Sequence, residues 1–283
     1  MSKLLIRLAL GLVFAVFGLF NYFGNVAENP VTGEKQRVAL SPQQEIALGR
    51  QGRQEVAAKF GGLYPNQVLQ NYIDQVGQEV VQESGASESP YPFEFHLLND
   101  PNTVNAFALP GGQIFITTAL LSRLSSEAQL AGVLGHEVGH VIARHGAEHL
   151  ARRQLGAALV NAIGIAASDD PQNARQAAVI AQAVNQVVNL KYGREDELES
   201  DRLGFQFMTA ADYNPEGLVE LMQILNSAQS GGRPPEFLST HPNPGNRVGR
   251  LEELIEQKYP NGIPPALEEG EQDFAQAVPR RLR

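Results

Sequence analysis

Leu134-Gly135-His136-Glu137-Val138-Gly139-His140-Val141 lies inside a long helix-forming run. On an α-helix, residues four apart sit about one turn apart on the same face, so His136 and His140 can grip one metal ion together. Two neutral imidazoles suit a borderline-soft cation such as Zn²⁺, and a catalytic zinc site needs a third protein ligand plus an open position for water. Glu137 falls beside the pair, where its carboxylate is the natural base for a water that the metal makes acidic.

The residues around this stretch fit a buried helix. Ser125 or Ser126 can cap it, and Glu127 stands in the first turn, where the helix dipole favours an acid. Ala128, Leu130, Ala131, Val133 and Leu134 then lead into His136, an apolar crowding that suits a dry site. A second pair, His145 and His149, has the same spacing. It lies on the same helix, and at about 100° per residue His145 falls roughly 180° round from His136, so the pair points the opposite way, with Gly146 where an acid would follow. That pair is therefore expected at the surface or in packing, and His96, in a strand, is expected to be structural.

Upstream, Ser41-Pro42 opens a helix with a capping hydroxyl and a proline in the first turn, and Gly61-Gly62 stops it after Phe60. A second helix near Asn66 to Gln82 places Val68, Leu69, Tyr72, Ile73, Val76 and Val80 at helical spacing. The period then changes to two. Phe93, Phe95 and Leu97 alternate with Glu94, His96 and Leu98, and two further strands flank Pro110-Gly111-Gly112, which is turn chemistry. One of these strands can be a sheet edge beside the site, able to take a peptide as an added strand, or the sheet can be ordinary core. Pro215 to Ser227 forms another amphipathic helix. Ser230 to Pro235 makes a Gly/Pro loop that, with the 156–190 region, can gate the cleft.

Composition narrows the function. The 283 residues, 43% of them hydrophobic, can bury a full core. A formal net charge of −9 argues against nucleic acid as a partner. With no cysteine, disulfides, thiolate nucleophiles and Cys-ligated zinc are excluded, so any zinc is held by histidine and carboxylate. Lys3 and Arg7 precede an uncharged apolar run from Leu8 to Phe20, and the stretch from Leu4 to Phe23, with Arg7 reaching back to the headgroups, is long enough to cross a hydrocarbon layer of about 30 Å. Gly24-Asn25-Val26-Ala27 is a poor cleavage site, which favours a retained anchor over a signal peptide.

The third ligand is sought by geometry. The chain is helical to about Ala167, breaks at Ser168 to Pro171 and is helical again from about Asn173 to Leu190. An antiparallel helical hairpin has nearly equal arms, His140 to Ser168 outward and Pro171 to Glu197 back, and brings Glu195-Asp196-Glu197-Leu198-Glu199 beside the histidines. Glu197 and Asp201 share one face, with Glu199 turned about 200° away from Glu197. Spacing alone locates the neighbourhood without choosing the residue, and a solvated acidic face is the other reading.

Together, His136-Glu137-xx-His140 and Glu197-xxx-Asp201 resemble the gluzincin arrangement. Further matches are Gln44 to Gly49, Asn105-Ala106-Phe107-Ala108-Leu109-Pro110-Gly111-Gly112, and Ser239-Thr240-His241-Pro242 with Arg247. Over Ser41 to Leu254 the chain is similar to the HtpX-type and CAAX-prenyl-protease-type family of HExxH zinc metallopeptidases. It looks most like the periplasmic BepA-type branch, without that branch's helical repeat domain. The resemblance implies His136, His140 and Glu197 as ligands of one Zn²⁺ per chain and Glu137 as catalytic base. Asp201 would hold a ligand histidine or donate a proton, and His241 would plug the open metal position or stabilise an oxyanion. Asn105, Ala106, Phe107 and Ala108 would meet substrate.

The expected fold is α+β, a mostly helical metallopeptidase domain with a small antiparallel sheet, after one N-terminal hydrophobic helix. The boundaries are 1–26 for the signal-anchor or signal peptide, 27–40 for a linker, 41–258 for the metallopeptidase domain and 259–283 for a tail. The expected activity is zinc-dependent endoproteolysis of unfolded or misassembled polypeptides in protein quality control, at a membrane through the N-terminal helix. The catalytic domain would stand outside the cytoplasm, in the periplasm or its equivalent, or be released there by signal cleavage. The alternative is a chaperone-like client-binding protein with a plugged zinc site.

Overall fold

The computed structural model describes residues 26–38, 40–153, 191–228, 235–242, 246–279 and 282, with isolated helical positions between 12 and 24. Most of the expected N-terminal hydrophobic helix, the hairpin expected over 156–190 and most of the loop at 230–235 lie outside the described residues. Among the described residues no helix is long and apolar enough to cross a membrane.

Two short strands, β1 (Val26–Glu28) and β2 (Lys35–Arg37), pair antiparallel, β1 starting one residue before the stretch expected as a linker and β2 lying within it. The reason is polar and local. Asn29 Oδ1 accepts the amides of Val31 and Thr32 at 2.9 and 3.1 Å, which closes the turn. Helix α1 (Pro42–Lys59) carries a capping box in which Ser41 and Gln44 satisfy each other's backbone N–H groups. Helix α2 (Gln67–Gln82) is capped by Asn66 and buries Leu69, Ile73, Val76 and Val80, whereas Val68, assigned to the same apolar face, is exposed.

β3 (Glu94–Leu98), β4 (Ala106–Leu109) and β5 (Gln113–Thr117) form a sheet in the order β3-β5-β4. The β4–β5 hairpin turns at Gly111 and Gly112, both with positive φ, as the Pro-Gly-Gly sequence requires. The expectation of an antiparallel sheet is corrected here: β3 pairs parallel with β5, so the sheet is mixed. β5 is buried at every residue, and the central position gives both of its edges a ladder partner. The alternation of side chains sorts residues onto two faces. Phe95, Leu97, Ala106, Ala108, Ile114 and Ile116 enter the main core, while Leu98, Phe107, Leu109 and Phe115 meet Val56 and Phe60 of the α1 region.

The main core is built around α3 (Glu127–Ile142), buried from Ala128 to its end. It crosses α4 (Arg194–Ala210) at a contact made by two glycines. A Cβ added at Gly204 would come within 2.9 Å of the His136 amide nitrogen, so the backbones approach this closely only because the side chain is absent. α5 (Glu216–Ala228), the short α6 (Glu236–Thr240) and α7 (Arg247–Lys258) complete the helical layer. Beyond α7 the chain returns to the core: Glu268 bridges Tyr213, and α8 (Glu271–Ala277) buries Phe274 against Tyr72.

Candidate active site

α3 begins where the sequence placed its cap, with Ser126 accepting the Gln129 amide at 3.2 Å. It ends earlier than expected, at Ile142, with Arg144 in the left-handed region at φ 56°. The break invalidates the angular argument that turned His145 away. After it the chain is helical again over 145–153, and His145 Nδ1 comes 2.8 Å from His140 Nδ1.

Four side chains converge at the other face of the pair. His136 Nε2 lies 3.1 Å from His140 Nε2, 3.4 Å from His241 Nδ1 and 3.6 Å from Glu197 Oε2. Glu197 Oε1 lies 3.5 Å from His140 Nε2 and 3.0 Å from His241 Nδ1. All four residues are buried, and their donor atoms fall within 4.8 Å of one another. A tetrahedral ion with bonds of about 2.0–2.1 Å has ligand atoms about 3.3 Å apart, so these separations are those of a metal cage. Hydrogen bonds alone do not account for so many lone pairs aimed at one point. The residues present therefore fit a metal.

Charge agrees with geometry. Glu137, Glu197 and Asp201 bring three carboxylates against one buried guanidinium, Arg247, an excess of two negative charges when all are ionised and the charge a divalent cation neutralises. Arg247 donates to both oxygens of Asp201 at 2.7 and 2.6 Å, and its other terminal nitrogen lies 2.7 Å from Glu197 Oε2. Asp201 Oδ1 in turn lies 3.0 Å from His136 Nδ1. Burial alone would raise the pKa values of Asp201 and Glu197. For Asp201 the Arg247 charge and the His136 bond outweigh it, and for Glu197 the bonds and charges of His241, His140 and Arg247 do, so both are held below the usual carboxylate range. Burial pushes Glu137 up and His140 well down, leaving His140 a neutral imidazole as metal ligation requires. Both oxygens of Glu137 are buried without a hydrogen bond, with His241 Nε2 3.6 Å from one of them.

The structure thus brings together His136, Glu137, His140, Glu197, Asp201 and His241, all singled out from sequence. The acidic cluster does return beside the histidines. Of the four residues proposed to meet substrate, Asn105 precedes β4 and Ala106, Phe107 and Ala108 lie on it; β4 is a sheet edge, but all four are buried. His96 is structural, with Nε2 2.9 Å from Gln113 Oε1 and its ring near Phe115. Sequence reasoning missed Tyr192, whose ring stacks on His140 at 3.9 Å between centroids, and the role of Arg247 as counter-charge. The match around His241 contained Arg247, but nothing in its spacing revealed what it would neutralise.

A buried His-His-Glu-His cage, with two histidines from the HExxH helix, Glu197 from α4 and His241 from the end of α6, beside a glutamate without a hydrogen bond, defines the class of HExxH metallopeptidases. The chain belongs to Peptidase family M48, whose pattern matches residues 67–255. It is 29% identical over 258 residues to the beta-barrel assembly-enhancing protease of Escherichia coli, covering 89% of this chain and 51% of that protein. It is 32% identical over 208 residues to a putative beta-barrel assembly-enhancing protease of Vibrio cholerae, covering 71% of this chain and 42% of that one. Mitochondrial metalloendopeptidase OMA1 of Schizosaccharomyces pombe is 28% identical over 255 residues, covering 87% of this chain and 71% of that one. The chain spans about half the length of the beta-barrel assembly-enhancing proteases it matches.

Proposed function

We propose that the chain is a zinc-dependent endopeptidase of protein quality control whose resting form is closed by His241. The observation that carries this reading is the convergence of four buried donor atoms on one point beside the unpartnered carboxylate of Glu137. His136, His140 and Glu197 would hold one Zn²⁺ per chain, with His241 at the fourth corner. When bound, zinc supplies a Lewis acid that polarises a carbonyl and makes water acidic near neutral pH. Glu137 takes the proton of the attacking water and delivers it to the leaving amine, and neither of its oxygens is held by a hydrogen bond. Asp201, itself held by Arg247, keeps the His136 ring in the orientation and tautomer that direct Nε2 into the cage.

Opening follows from how α6 is attached. The Phe237 amide donates to Val104 O at 3.1 Å, just before β4, and the Tyr192 amide donates to Thr240 O at 3.0 Å. A shift of α6 that withdraws His241 therefore also releases the chain beside the β4 edge, where an extended peptide can pair as an added strand. A folded domain does not reach a site buried this deeply, which favours unfolded or misassembled polypeptides as substrates. The apolar run Leu8 to Phe20, with Leu12, Val13 and Phe20 exposed, supports attachment to a membrane. Flotation of the full chain with liposomes, lost on removing residues 1–26, checks it.

The closed cage also favours a second reading, a client-holding protein that does not cut. Cleavage of an unfolded model protein by wild type, beside Glu137→Gln at matched zinc content, decides between them. Cutting by wild type alone upholds the enzyme. If neither cuts although both hold zinc, His241→Ala is tested next: cleavage regained upholds the plug, and its absence favours client holding.

A further inference from the structure

The end of α3 is held by side chains from the N-terminal segment. Asn29 Nδ2 donates to Ile142 O at 2.6 Å, and Gln36 Nε2 donates to Ala143 O, so two carbonyls left free where the helix stops are satisfied from outside. Asn29 and Gln36 are buried and bonded to each other at 3.1 Å. The Arg144 guanidinium is fixed by Glu45 Oε1 and by Leu40 O at 2.8 Å, and Tyr91 donates to the other Glu45 oxygen at 2.7 Å. These contacts hold the left-handed turn at Arg144, and that turn brings His145 onto His140.

The proton inventory of the contact has one solution. If His140 directs a lone pair from Nε2 into the cage, its proton sits on Nδ1 and is donated to His145 Nδ1 at 2.8 Å. His145 then carries its own proton on Nε2, which donates to Glu199 Oε2 at 3.2 Å. The opposite tautomers would aim an N–H into the cage and leave a ring nitrogen facing Glu199 without a proton. His136 reaches the same state through Asp201.

We infer that His145 is a positioning residue for His140, and that Asn29, Gln36 and Glu45, which precede the 67–255 stretch matched by the family pattern, complete the site by clamping the turn that presents it. This rests on the reading of the cage as a metal centre. Metal-ligating histidines whose outer partner is removed typically lose about 10–100-fold in affinity.

The test uses the full chain, with zinc affinity measured by chelator competition and the absorption spectrum of the cobalt-loaded protein. His145→Phe keeps the ring and removes the acceptor; it should weaken zinc binding about 10–100-fold and change the cobalt spectrum. His145→Asn, with an amide oxygen where the ring nitrogen stood, should recover most of both. Asn29→Ala with Gln36→Ala, which leaves His145 in place, should weaken binding in the same direction and carries the test if His145→Phe does not fold. The inference is overturned if His145→Phe binds zinc as wild type does with an unaltered spectrum, or if Asn is as impaired as Phe. Wild type that takes up neither metal overturns the metal-centre reading itself.

Discussion

Two histidine pairs of identical spacing stand in succession, and their surroundings have made different things of them. His136 and His140 lie within α3, fully buried, and meet Glu197 and Asp201 of α4. His145 and His149 lie just past the break and meet the neighbouring acids of the same helix: His145 Nε2 is 3.2 Å from Glu199 and His149 Nε2 is 2.7 Å from Asp196. Asp196 is further committed to the Gly193 amide at the start of α4. Spacing four apart supplies a pair of imidazoles and nothing more. Which pair becomes a cage depends on what α4 presents to it, and that was fixed by the Gly135–Gly204 crossing.

The largest effect expected on the first pair's side is on chemistry. Glu137→Gln should lower kcat by roughly 10²–10⁴-fold with zinc content unchanged, read by hydrolysis of an unfolded substrate. An equal loss on substituting Asp196 or Glu199 would erase the distinction between the two pairs. Next comes the counter-charge. Arg247→Met leaves Glu197 and Asp201 buried without their cation and should destabilise the zinc-free protein by about 3–5 kcal/mol, read from urea unfolding. Zinc should restore part of this loss, since the ion replaces the charge beside Glu197.

How much of this was legible in the sequence follows from range. The caps of α1, α2 and α3, the Pro-Gly-Gly hairpin and the period-two strands depend on residues within a few positions of one another, and they stand where the local chemistry put them. The cage was legible because HExxH is itself a local pattern and the resemblance supplied Glu197 and His241. The parallel β3–β5 pairing depends on where the chain goes after Leu98. The turn at Arg144 escaped because nothing in Ile142-Ala143-Arg144-His145 breaks a helix; Asn29, Gln36 and Glu45, about a hundred residues away, do so by binding its end. Those same residues lay in or beside a stretch without periodicity, which the pattern of polar side chains did not distinguish from a linker.

His96 sharpens the comparison from a third position, as a buried histidine whose hydrogen bond goes to a neutral amide. Burial, the largest influence, holds it below the ordinary histidine value of 6.5, against the opposing Gln113 bond. A histidine with a depressed folded-state pKa takes up its proton more readily when unfolded, so its contribution is whole above about 6.5 and is lost as the pH falls below it. Urea midpoints of wild type should therefore drop more steeply on acidification than those of His96→Gln, which does not titrate. Equal slopes would mean that burial does not lower the His96 pKa in the fold.

The smallest effect is expected at His149, and it is the most direct attempt to break the comparison. Its side chain and that of Asp196 are 18% and 13% exposed, at the rim of the histidine series. A pair with that access to water contributes about 0–1 kcal/mol, and the neighbouring ring, that of Tyr192, meets it edge-on at 6.0 Å. His149→Ala should accordingly change stability by about 1 kcal/mol or less and leave zinc affinity as in wild type. A substantial loss of zinc would require His149 to act through Asp196 and α4 on Glu197, the residue beside it in sequence but on another face. In that case the second pair would belong to the cage's support as a unit, and the boundary between the two pairs would lie beyond His149 instead of between His145 and His149.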